Sequence, residues 1–340
     1  MKRRTLLKTA SAAALTAASG LSTAARADGH ESGGSRPSYT AAVLRVPVLV
    51  PPTADALEDI RRRNTEAFVT AIETVMKSTP KPRVISCPVL MYTSARRAVS
   101  GVPMEVVAQD LVSKPLDQTI WKPVIDACRR HDCYVATSTQ EKVPQLPGTY
   151  FHTGFIMGPE GLVLRSPKVQ APSAPRVSFI RDILDEYKAA FGPDSILPVA
   201  KTPLGNFACY VEGEAQVLEA SRLLSSKGAE VILHTSLESD AVPWVSLKRA
   251  IAYQNHVYLL TGTTSRNLYT EADGSLRDDW AGGSSTICGP AGELLAEMGG
   301  RNEGFVTAEI DLAHLDDARK EFNRDTVPAW NLYTDLYETR

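Results

Sequence analysis

LGNFACYVEGEAQVLEASRLLSSKGAEVILHTS, residues 204–236, reads as strand, turn, helix, turn, strand. Gly205-Asn206 opens a short apolar run, Phe207-Ala208-Cys209-Tyr210-Val211. From Gln216 to Ser226 the apolar residues Val217, Leu218, Ala220, Leu223 and Leu224 recur with helical spacing. Lys227-Gly228 stops that helix, because glycine adopts the left-handed cap conformation without a Cβ clash. Val231-Ile232-Leu233 then reads as a buried strand. This pattern predicts Cys209 at the strand-to-helix turn. There the helix dipole and free backbone N–H groups favour a thiolate, as a nucleophile requires.

Outward from this unit, strands and helices alternate through most of the chain, which predicts an α/β fold. Toward the N-terminus the expected elements are a strand at Tyr39–Val50, a helix ending near Lys77, a strand at Arg83–Cys87, helices at Val102–Leu111 and Thr119–His131, and a strand at Tyr134–Ser138. A hairpin spans Tyr150–Met157 and Leu162–Ser166 around Gly158-Pro159-Glu160-Gly161, with Lys168 directly after it and a helical insertion at Ser178–Phe191. Beyond Ser236 come a helix at Val245–Gln254, a strand at His256–Thr263, and a second hairpin, Ser284–Cys288 and Leu294–Met298, around Gly289-Pro290-Ala291-Gly292. A strand at Gly304–Ile310 and a short helix at Asp311–Arg319 close the domain. The two Gly-Pro-x-Gly hairpins sit in corresponding places in the two halves, which suggests an internal duplication.

The first 27 residues read as a secretory signal: a basic start, an Ala-rich apolar run, and Ala25-Arg26-Ala27 as a small-x-small cleavage site. Arg3-Arg4 before Thr5-Leu6-Leu7-Lys8 resembles the twin-arginine type. Residues 28–38 read as a flexible linker, 39–320 as the folded domain and 321–340 as a C-terminal tail. The expected location is the periplasm or the exterior. Removing the signal takes away five of 37 basic residues and no acidic ones, leaving 32 against 39 acidic residues. Such a chain is not expected to bind nucleic acid or, once the signal is gone, a membrane. Cys87, Cys128, Cys133, Cys209 and Cys288 make an odd count, so at least one thiol stays free. Cys128 and Cys133 read as small core residues rather than a bridge. Without CxxC pairs, HExxH, a P-loop or GxGxxG, neither a metal nor a cofactor is expected.

Five blocks in order then resemble the nitrilase (carbon–nitrogen hydrolase) superfamily, nearest its amidase branches, from about Tyr39 to Arg319. They are Gly154–Gly161 with Lys168, Phe207–Tyr210, Lys227–Leu233, the stretch RAIAYQNHVY at 249–258, and Gly283–Gly292 followed by Glu309–Leu312. The resemblance implies a four-layer α-β-β-α sandwich that pairs into homodimers or larger assemblies. It also implies Glu-Lys-Cys chemistry on a small amide or nitrile: the thiol attacks carbon, the glutamate moves the proton, and the lysine steadies the negative charge. Cys209 maps onto the nucleophile and Lys168 onto the lysine.

The glutamate does not map. The family places it in a Pro-Glu pair after a strand, and here Pro88 is followed by Val89. A second glutamate of the amidase branch, eight residues beyond the lysine, falls on Arg176. Two readings follow. In one, Cys209 and Lys168 hydrolyse a non-peptide C–N bond with an acid relocated to Glu212, Glu214, Glu105 or Glu141. In the other, the chain is a degenerate relative that binds a small anionic ligand, such as a carboxylate, or serves as a subunit. Tyr92, Tyr150 and Tyr210 are the candidate substrate-binding residues, with Trp244 and Phe151 as further pocket walls.

Overall fold

The computed structural model describes residues 36–90 and 102–321, apart from 115, 173–176, 239–240, 271–274 and 281. The signal, most of the linker, the tail beyond Glu321, Tyr92 and Arg176 lie outside the described residues.

In chain order the strands are β1 (Ser38–Arg45), β2 (Val48–Val50), β3 (Val84–Val89), β4 (Gln109–Asp110), β5 (Tyr134–Lys142), β6 (Phe151–Gly158), β7 (Gly161–Pro167), β8 (Val199–Thr202), β9 (Gly205–Val211), β10 (Val231–Ser236), β11 (Tyr258–Thr263), β12 (Arg266–Thr270), β13 (Leu276–Trp280), β14 (Ser285–Cys288), β15 (Leu294–Met298) and β16 (Gly304–Asp311). The helices are α1 (Leu57–Val75), α2 (Met104–Val107), α3 (Lys122–His131), α4 (Leu184–Phe191), α5 (Leu218–Ser226), α6 (Ala241–Asn255) and α7 (Leu312–Glu321).

Two sheets carry the fold. The first runs β16-β1-β3-β5-β6-β7, with β4 beside β5, and the second runs β15-β14-β11-β10-β9-β8. They pack through side chains from both inner faces, among them Tyr39, Val43, Val84, Ile156, Phe207, Cys209, Leu233 and Leu260. Helices α1 and α3 cover the outer face of the first sheet through Phe68, Ile72, Val124 and Ile125. Helices α5 and α6 cover the second through Ala220, Leu224, Ile251 and Ala252. The layers are therefore α-β-β-α, each sheet buried on both faces, which is why the central strands read as continuous apolar runs.

The same succession of pairings occurs in both sheets. Strands β1, β3 and β5 are mutually parallel, and so are β9, β10 and β11. Each triplet continues into an antiparallel hairpin, β6–β7 or β14–β15, and carries an antiparallel strand on its other side, β16 or β8. The duplication hinted at by the two Gly-Pro-x-Gly turns is thus a property of the topology. Where the inner faces approach most closely there is no room for a side chain. A Cβ on Gly262 of β11 would lie 2.4 Å from the Ser86 carbonyl oxygen of β3.

Several local expectations shift. Tyr39–Val50 is not one strand: it breaks at Val46-Pro47, and β2 joins β12 and β13 in a small third sheet. The helix expected at Val102–Leu111 shrinks to α2, because the chain extends at Ala108 so that Gln109-Asp110 can pair with β5. In the stretch at 204–236, β9 runs through Cys209 to Val211 and α5 starts at Leu218. The turn lies at Glu212, three residues later than the sequence suggests.

Candidate active site

The site forms where β9 ends. Glu212 is the first residue past the strand and takes a left-handed backbone, φ 48°. A non-glycine residue holds that conformation only where its surroundings over-determine it, and such positions concentrate at functional sites. Three neighbours fix Glu212. Its backbone carbonyl lies 3.0 Å from His234 Nε2. One carboxylate oxygen, Oε2, accepts from Lys168 Nζ at 3.0 Å and lies 3.3 Å from His152 Nδ1. An ionised carboxylate only accepts, so His152 carries its proton on Nδ1.

Lys168 follows β7 and is 1% exposed. Its backbone N–H donates to the His152 carbonyl at 2.9 Å, and its own carbonyl accepts from the Ile180 amide. The next amide, Val169 N–H, donates to Glu214 at 2.7 Å. The lysine is therefore held along its backbone as well as at its ammonium.

Burial works against an ionised Glu212, but Lys168 and His152 outweigh it and hold the carboxyl well below the usual carboxylate range. Burial, with Lys168 nearby, lowers His152 and keeps its ring neutral in spite of Glu212. His234 is pushed down to about 3 by burial and the Lys248 charge. Glu214 sits deeper and burial pushes it up to about 7, although the Val169 amide and others donate to it. The cluster therefore holds one ion pair and two neutral imidazoles.

Cys209 is not brought to Lys168. It lies two residues inside β9 with its side chain between the sheets, fully buried, and a Cβ on Gly154 would come within 2.6 Å of its Sγ. Burial pushes its thiol up, away from thiolate. The positioning argument for a nucleophile at the strand-to-helix turn selects Glu212, and Cys209 is a packed core thiol.

Val89 ends β3, is buried, and packs against Val211 with Leu237 nearby. It gives the site an apolar wall. Tyr210 points into the cluster under α5, where Ser221 Oγ donates to its hydroxyl at 3.5 Å and its ring stands 5.1 Å from that of His234. It is fully buried, on the face of β9 opposite Cys209 and Val211, because alternate residues of a strand face opposite sides. Tyr150 lines a cleft of about 190 Å³ with Asp110, Lys142 and Thr149. Phe151 is core. The Trp244 ring stands 6.1 Å from that of His234.

Of the four acids considered, only Glu212 reaches Lys168. Glu141 is buried in a structural pair with Arg165 at 2.7 Å and accepts from Thr153. Glu214 is taken up by backbone amides, and Glu105 is exposed on α2. Sequence reasoning missed His152 altogether. It could have placed the turn correctly, because the apolar run ends at Val211 and Glu212-Gly213 is the first break in it. Among the described residues no cluster of His, Cys, Asp and Glu fits a metal ion.

A family profile described as carbon–nitrogen hydrolase matches residues 90–320. The chain belongs to the carbon–nitrogen hydrolase family. The omega-amidase NIT2-B of Xenopus laevis is 25% identical over 191 residues, 55% of this chain and 65% of that protein. Nitrilase 1 of Arabidopsis thaliana is 24% identical over 210 residues, 58% of this chain and 57% of that protein. The chain thus spans less than two thirds of the length of the curated relatives it matches. Among solved structures, Nit3 of Saccharomyces cerevisiae superposes with a TM-score of 0.61 at 17% identity, over 86% of this chain and 96% of that one. An amidase of Nesterenkonia AN1 from the nitrilase superfamily gives 0.55 at 19% identity, over 84% and 96%. These two show the nitrilase-type fold.

Proposed function

We propose that this family member binds a small organic molecule, an amide, nitrile or carboxylate, beside Lys168 and Glu212 and does not hydrolyse it through a thiol. One observation carries the reading: the residue at the strand-to-helix turn, in contact with the lysine, is the carboxylate Glu212, while Cys209 is sealed between the sheets. The Nesterenkonia amidase, by contrast, has been trapped in mutant form with acrylamide added at its active-site cysteine. Val89 at the end of β3 agrees with the same reading, since valine moves no proton.

A second reading, hydrolysis, is favoured by the omega-amidases among its relatives. Ammonia release across short amides, carbamoyl compounds and nitriles separates the two when ligand binding is measured in parallel. Binding without release supports the proposal; release that disappears in Cys209→Ala defeats it.

We also propose that the chain is exported to the periplasm or beyond on its Arg3-Arg4 signal and works as a homodimer or larger homo-oligomer. Retention of an Arg3→Lys/Arg4→Lys variant inside the cell tests the first point. The mass in solution by light scattering tests the second.

A further inference from the structure

We propose that Cys128 and Cys133 form a disulfide in an oxidising environment and so staple the last turn of α3 to the start of β5.

All five cysteines are buried free thiols, but they are not spread evenly. Cys209 packs between the sheets and Cys288 under α5 and α6. Cys87, Cys128 and Cys133 share the core under α1 and α3. Helix α3 is capped by Asp132, which takes a left-handed backbone, φ 51°. The Cys128 carbonyl accepts the amides of both Asp132 and Cys133, the latter at 3.2 Å. In this left-handed helix stop the side chains at those two cysteine positions meet. Joined through that carbonyl and amide, the two Cα atoms stand no more than about 7 Å apart. Bridged cysteines have Cα atoms about 4.4–6.8 Å apart. The Cys128 thiol donates to the Met157 carbonyl at 3.6 Å and lies within hydrogen-bonding reach of the Cys133 thiol. Cys87 is out of range of Cys133. Val84 of β3 pairs with Tyr134 of β5, so Cys133 stands level with Arg83, and Cys87 lies four residues further along, roughly 13 Å away.

The chemistry is thiol–disulfide exchange. Both S–H bonds break and one S–S bond forms. Two electrons and two protons pass to an external disulfide, whose own S–S bond is split into two thiols. A thiolate must attack first. In the resting fold Cys133 and burial push the Cys128 thiol up, away from thiolate. Exchange is therefore slow and runs through fraying of the last turn of α3, where Arg129, Arg130 and Asp132 are exposed. The bridge leaves Cys87, Cys209 and Cys288 as free thiols.

The test incubates the full mature chain, folded and fully reduced, overnight with glutathione disulfide. Remaining thiols are then alkylated in denaturant, and the intact mass and tryptic peptides are read. Trypsin cuts after Arg129 and Arg130, so a bridge holds together two peptides that otherwise separate. The expected result is three alkylated thiols, with Cys128 and Cys133 in the linked pair. The oxidised protein should melt roughly 2–5 °C above the reduced one, a modest gain because the closed loop is short. Cys133→Ser should abolish both the linked pair and the difference in melting. Five alkylated thiols, a bridge through Cys87, Cys209 or Cys288, or glutathione retained on a single cysteine of the wild-type protein overturns the proposal, with no variant needed. A bridge that leaves the melting temperature unchanged overturns its role as a staple.

Discussion

Replacing Lys168 by methionine removes the ammonium and keeps most of the apolar stem. The partner left behind is Glu212, whose carboxylate then has only His152 on the shared oxygen. Removing one member of a buried ion pair typically costs about 3–5 kcal/mol, because the other charge stays behind without its partner. Glu212 keeps 17% of its side chain exposed and one imidazole contact, so about 2–4 kcal/mol is expected here. For a domain of this size that lowers the melting temperature by roughly 3–7 °C.

The pH dependence has a definite sign. The folded-state pKa of Glu212 lies below its unfolded value, so its contribution is present above about pH 4.3 and is lost as pH falls through the folded value. The gap between wild type and Lys168→Met therefore narrows under acid. Urea unfolding at pH 7 and pH 3, with Lys168→Met, Glu212→Gln and the double variant, measures both terms. The cycle should return a coupling of about 2–3 kcal/mol, the double variant being no worse than Lys168→Met. A loss under about 0.5 kcal/mol for Lys168→Met at pH 7 would refute the reasoning, since that is the behaviour of a solvated surface lysine.

Glu214 predicts a slope of opposite sign. Its folded-state pKa, about 7, lies above the unfolded value, so the native state holds the extra proton and stability falls as pH rises from about 4.3 to 7. The decline is on the order of 3 kcal/mol, and Glu214→Gln should flatten it in unfolding curves taken across that window. Gly262→Ala places a Cβ 2.4 Å from a backbone carbonyl oxygen of the facing sheet, where no side chain can move aside. It should cost about 3 kcal/mol or more in chemical denaturation, and a neutral result would mean that the sheets do not meet there.

Much of the fold was legible in the sequence because each sheet is covered on both faces. Double burial gives β9, β10 and β11 their apolar runs Phe207–Val211, Val231–Leu233 and Tyr258–Leu260, and the Gly-Pro-x-Gly turns mark both hairpins. Short pieces were not legible. The two-residue strand β4 and the three-residue strand β2 owe their conformation to partners far away in sequence, which no local pattern records. The site was half legible. Lys168 follows its hairpin as expected, and Val89 ends its strand without an acid. The turn lies three residues past Cys209, because the physical signal for it is the end of the apolar run at Val211 and not the thiol. His152 was invisible, since a single histidine in a buried strand looks like core until β9 is seen to end beside it.

The central claim is that the working group at the turn is Glu212 and that Cys209 is packing. It is tested most directly by incubating the native protein with acrylamide and fluoroacetamide and reading the intact mass, with Cys209→Ala and ammonia release run alongside. The account predicts an unchanged mass before unfolding and no difference in ammonia release between wild type and Cys209→Ala. A stoichiometric adduct on Cys209 in the folded protein, or release that depends on that thiol, would contradict it.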